Sequence, residues 1–145
     1  MNALSAGQTY VIEERFDRAV KLVRCALENQ ELSVSGEFDF TDSVAPDSSK
    51  KPVRSKLLLV DSPLLLFEAL ALDRAAGVFF PLHVLISADG DRTQVVCVEP
   101  ASLFEVRLPT GSSQPLTALR NRIAMALESV VSRSDSRQRQ PTGHR

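Results

Sequence analysis

Two histidines and two cysteines are all the imidazole and thiol in this chain, so their positions limit its chemistry. A metal centre needs three or four nitrogen, sulfur or oxygen ligands converging in space. His144 stands near the C-terminus, in a stretch without apolar residues. His83 and Cys97 fall on opposite faces of a predicted hairpin, and Cys25 lies on a predicted helix beside Lys21 and Glu28, away from the apolar stripe. These groups do not converge within one protomer, so no metal site is expected. Cys97 reads as a small buried hydrophobe. Cys25 reads as a surface or interface thiol, with a redox role helped by Lys21 and Arg18 as the lesser alternative. Nucleophilic catalysis lacks a Gly-x-Ser-x-Gly elbow, and Ser62 reads as a helix cap. The six glycines, at 7, 36, 77, 90, 111 and 143, form no phosphate-binding loop. Asp39, Thr41 and Asp42 cluster where a strand runs into a loop and make a weak cation candidate. His83 sits in a half-apolar setting with Leu85, Val96 and Val98; it and Asp61 are the weak candidates for contacting a ligand. No catalytic residue and no cofactor are expected.

The elements that must position these groups follow from changes of hydrophobic period. Thr9 to Ile12 is β-prone and predicts an opening strand. Phe16, Ala19, Val20, Val23, Ala26 and Leu27 then recur at spacings of three and four, which predicts an amphipathic helix ending near Asn29. From Leu32 the period becomes two: Leu32, Val34, Phe38 and Phe40 alternate with Ser33, Ser35, Glu37 and Asp39, and Gly36 marks a bulge or close contact. Thr41 to Ser55 reads as a loop, locally basic through Lys50, Lys51, Arg54 and Lys56. Leu57 to Val60 runs without alternation and predicts a central strand covered on both faces. Ser62-Pro63 opens a helix with Leu66, Phe67 and Leu70 as its inner stripe and Gly77 as its stop.

Phe79 to Ser87 and Arg92 to Glu99 flank Ala88-Asp89-Gly90-Asp91, the strongest local signal in the sequence. With Asp89-Gly90 central in a two-residue turn, Val84 faces Val95 and Leu82 faces Cys97. One hairpin face then carries Phe80, Leu82, Val84, Ile86, Val95 and Cys97. The other carries His83, Leu85, Val96 and Val98, and a one-residue shift of the turn changes partners but not these two sets. Phe104 to Leu108 is extended, and Leu116, Leu119, Ile123, Ala126, Leu127 and Val130 stripe a last helix. After Val131 no apolar residue remains, so 132–145 reads as a disordered tail.

Composition is ordinary: 145 residues, 43% hydrophobic, 24% charged and a net charge of -1. It excludes a wholly disordered chain, a collagen-like one and a strongly basic nucleic-acid binder. The basic segments have no interleaved aromatic residues, so specific nucleic-acid binding is not expected. No apolar run approaches the roughly 20 residues of a membrane span, and no signal peptide is visible. Two cysteines exclude a disulfide scaffold and suggest a reducing cytoplasm.

The block KLLLVDSPLLLFEALALDRAAGVFFPLHVLISADGDRTQVVCVEP, Lys56 to Pro100, resembles the domain-of-unknown-function 302 family. A strand enters a helix through a proline-marked turn (Leu57 to Pro63), and an acidic residue in an apolar cluster follows (Phe67 to Leu72). An apolar pair before proline (Phe79-Phe80-Pro81), a hairpin turn and a closing Glu99-Pro100 complete the pattern. The helix Phe16 to Leu27 and the strand Leu32 to Phe40 fit the family's opening. Positions that often hold cysteine in the family read Val60-Asp61-Ser62-Pro63 and Pro81-Leu82-His83 here. No thiol or metal role passes to this chain from them.

The expected architecture is therefore α+β: an antiparallel or mixed sheet packed on helices, in the order β-α-β-β-α-β-β-α, with a disordered C-terminal tail. Residues 1–8 read as a flexible N-terminus and 9–131 as one domain. The expected role is a non-enzymatic binding or assembly module of the cytoplasm. It would form a homodimer through Leu85, Val96 and Val98, without specific nucleic acid or membrane as partner. The alternative is a small-ligand binder or enzyme with a pocket near His83 and Asp61.

Overall fold

The computed structural model describes residues 7–40, 53–98 and 113–138. The elements are β1 (Gly7–Ile12), α1 (Phe16–Asn29), β2 (Ser33–Asp39), β3 (Ser55–Asp61), α2 (Pro63–Leu72), a 3₁₀ helix (Arg74–Phe79), β4 (Leu82–Asp89), β5 (Arg92–Val98) and α3 (Ser113–Gln138). The strands form one five-stranded sheet in the order β1-β5-β4-β3-β2, with every pairing antiparallel. The fold is α+β, and its element order follows the period switches of the sequence.

Helix α1 buries Phe16, Ala19, Val20, Val23 and Leu27 of the predicted stripe, and Ala26 is partly buried against the same core. Helix α3 buries Leu116, Leu119, Ile123, Ala126, Leu127 and Val130. Both stripes join a single core with Ile12, Leu58, Val60, Leu82, Val84, Ile86 and Val95, which all point to one side of the sheet. The α1 end of this layer is fixed by charge. Arg54 holds Asp17 through two hydrogen bonds of 2.9 and 2.8 Å and lies 4.6 Å from the Phe16 ring centre. Glu37 on β2 pairs with both Arg24 of α1 and Lys56 of β3.

Five expectations change. Strand β3 is interior, between β4 and β2, but only Leu58 and Val60 are fully buried; Leu57 and Leu59 are half-buried on the side away from the core. In α2 the core takes Leu65 and Ala69, leaving Phe67 and Leu70 exposed. A helix apolar on nearly every side does not reveal from its pattern which side packs. The helix stops at Leu72 rather than at Gly77. Gly77 lies within the 3₁₀ helix, where an added Cβ would come within 2.7 Å of a Leu70 methyl carbon, so the glycine allows close approach. The hairpin turns on Gly90-Asp91, since Asp89 pairs with Arg92. Gly90 takes φ +61°, as the first central residue of a II′ turn does, and this shifts the partners to Val84–Cys97 and Ile86–Val95 while keeping both face sets. Finally, α3 continues to Gln138 instead of ending at Val131. The next position of its buried stripe is Ser134, whose hydroxyl accepts from the Glu13 amide (3.3 Å) and donates to the Val131 carbonyl (2.9 Å). A serine extends the stripe invisibly to a search for apolar residues. The extended piece at 104–108 and the tail beyond 138 lie outside the described residues.

Candidate functional site

The side of the sheet opposite the core is where the candidate residues gather. Cross-strand partners in an antiparallel ladder point to the same face. One row therefore runs Phe38–Leu57–Leu85–Val96–Thr9 across all five strands. The neighbouring row runs Gly36–Leu59–His83–Val98–Gly7. Of these, Leu57, Leu59, Leu85, Val96 and Val98 are half-buried, Phe38 is exposed, and none packs against the core. The face is bounded by a serine pair, Ser55 and Ser87, whose hydroxyl oxygens lie 2.9 Å apart.

Phe38 reaches this face because the β2–β3 register shifts between Val34 and Gly36. One extra residue in a strand inverts every side chain beyond it. Val34 thus faces the core with Val60, while Phe38 stands opposite Leu57 on the other side. The sequence signals the bulge through Gly36, but alternation alone had placed Val34 and Phe38 together. Leu57 and Leu59 were likewise hidden in an unbroken apolar run.

His83 is exposed, between Leu59 and Val98. Asp61 ends β3 on the same face, opposite Ser33 and two residues beyond the partner of His83. Such a diagonal step is roughly 7–8 Å. Burial is the larger influence on the Asp61 carboxyl and pushes it above the ordinary range; the Ser62 amide, donating to Oδ1 at 2.7 Å, partly offsets this. Ser62 is buried, and its hydroxyl accepts from the Leu65 amide at 3.4 Å, while Pro63 takes the first helical position. The serine is therefore occupied as a cap.

The thiols stand apart. Cys25 is exposed on α1, and Cys97 lies half-buried against the core, opposite Val84. Among the described residues no group of His, Cys, Asp and Glu could hold a metal ion. Asp39 is exposed at the end of β2, and Thr41 and Asp42 lie outside the described residues. Arg54 is committed to Asp17 and Lys56 to Glu37; Lys50 and Lys51 lie outside the described residues. Among the described residues no helix is long and apolar enough to cross a membrane.

A search of curated proteins found no match. Among solved structures, the chain is similar to the uncharacterized conserved protein DUF302 from Bacillus stearothermophilus. The TM-score is 0.75 and the identity 14%, over 86% of this chain and 98% of that one. At such identity the likeness establishes the fold. Residues 8–130 match the family described as Domain of unknown function DUF302, and the chain belongs to that family.

Proposed function

We propose that this chain is a non-enzymatic assembly module that forms a homodimer through the open face of its sheet. The observation that carries this reading is the apolar row Phe38–Leu57–Leu85–Val96, which lies outside the core. Apolar side chains on adjacent strands that the described helices do not cover make a surface suited to a partner. A twofold contact is the commonest way for one such surface to bury itself. Leu85, Val96 and Val98 form its centre, and the exposed His83 lies beside them. Two free cysteines and no disulfide between them fit a reducing cytoplasm.

The test is sedimentation of the full chain and of Val96→Glu at micromolar concentration. The wild-type chain should sediment as a dimer, and Val96→Glu should split it by bringing two unpaired carboxylates into an apolar seam. A wild-type monomer would defeat the reading. The part-buried Asp61 on the same face as His83, its carboxyl pushed upward by burial, would then favour a small-molecule site there.

A further inference from the structure

Among the described residues, the largest concentration of exposed apolar side chains lies elsewhere, on α2 and the 3₁₀ helix. Leu64 is 60% exposed, Phe67 70%, Leu72 58% and Val78 78%, with Leu70 beside them. Leu65 and Ala69 turn toward the core, so helical geometry puts Leu64, Phe67 and Ala71 on the outward side. A groove of about 490 Å³ runs between α2 and the start of α3, lined by Phe67 itself with Glu68, Ala71, Leu72, Gln114, Pro115 and Ala118. Ala71, Pro115 and Ala118 are its short walls. The hollow thus borders the most exposed phenylalanine ring in the described residues.

We propose that this surface is a second self-association site, occupied by another copy of the same chain, with Phe67 of each copy seated in the groove of the other. A twofold contact requires a surface complementary to itself, and a projecting ring next to a hollow meets that requirement. Complete cover of these side chains removes on the order of 500 Å² per copy, so about 1,000 Å² in all, the least area a biological interface clears. The rim argues against a lipid surface as occupant. Peripheral membrane helices carry a basic border, whereas Glu68 and Asp73 stand here beside Arg74. Two acids and one base leave this rim net negative, the opposite of a basic border.

This surface belongs to the helical side of the molecule, so it is distinct from the sheet face of the proposed dimer and does not depend on it. The experiment is sedimentation velocity of the full chain with Phe67→Asp, Ala71→Arg and Val96→Glu, alongside circular dichroism of each. Phe67 and Ala71 are exposed, so both substitutions should leave the helical signal unchanged. Ala71→Arg also keeps a strong helix former while filling the hollow. Each should weaken self-association at least tenfold. If Val96→Glu has no effect while Phe67→Asp and Ala71→Arg release monomers, the sheet-face reading fails and this one stands. If Phe67→Asp and Ala71→Arg both leave the mass unchanged, this inference is overturned whatever Val96→Glu does. A wild-type chain that remains monomeric at tens of micromolar overturns both.

Discussion

Asp61 combines two local demands that pull in opposite directions. It ends an interior strand, where burial disfavours its charge, and its Oδ1 accepts the amide hydrogen of Ser62 at the start of α2. Burial is the stronger, so the folded-state carboxyl holds its proton to higher pH than in the unfolded chain. The folded state then binds more protons through that window, and stability falls as pH rises through the folded value. Asp61→Asn keeps an oxygen that can accept from Ser62 but removes the charge. The variant should therefore be more stable than wild type at about pH 7, with the difference closing toward about pH 3, below the ordinary carboxylate value, where the wild-type carboxyl is protonated in both states. Denaturant unfolding at both pH values measures this. A difference that grows on acidification would show that the ionised form is the stabilising one.

At the scale of elements, the Ser134 hydroxyl ties the C-terminal part of α3 to the β1–α1 junction. Ser134 is buried, accepts from the Glu13 amide and donates to Val131. Ser134→Ala should cost about 1 kcal/mol, because the Glu13 amide loses its partner. Ser136 is exposed and bonds only within its own helix, to the Ser132 carbonyl, so Ser136→Ala should fall within about 0.5 kcal/mol of wild type. Urea midpoints of the two variants decide it; equal losses would mean that the junction contact contributes nothing. The same helix shows what a sequence can reveal. Its apolar stripe was legible to Val130, but a serine that replaces burial energy with hydrogen bonds has no period of its own. The two hairpin faces were legible because side chains alternate whatever the turn register. In β2, the alternation was readable but the bulge at Gly36 reverses it, so Phe38 emerges on the open face rather than in the core. In α2, Glu68 is the only charged residue among ten, and the direction of packing depends on α3, which is distant in sequence. The candidate site is legible in the sequence as a set of side chains, His83, Leu85, Val96 and Val98 with Asp61 named beside His83; what the β3–β4 register adds is that Asp61 stands two residues beyond the partner of His83.

For the whole molecule, the decisive feature is that α1 and α3 pack against one face of a five-stranded sheet while an apolar row crosses the other. A surface that is buried only in a complex links stability to concentration, since mass action favours whatever binds the folded state. If two copies unfold together, each tenfold rise in concentration adds about 0.7 kcal/mol per protomer, which for a chain of this size moves Tm by roughly 2 °C. The wild-type Tm should therefore climb with concentration. Val96→Glu should flatten that climb, because the substitution removes the proposed sheet contact. Val96 is half-buried and lies outside the core, so at high dilution, where wild-type copies separate, the variant should melt close to wild type. Calorimetry across a hundredfold range of concentration distinguishes the cases. A variant that melts far below wild type even at the greatest dilution would mean that Val96 supports the fold of the single chain, and the open face would then be part of the protomer's own stability rather than a surface for its partner.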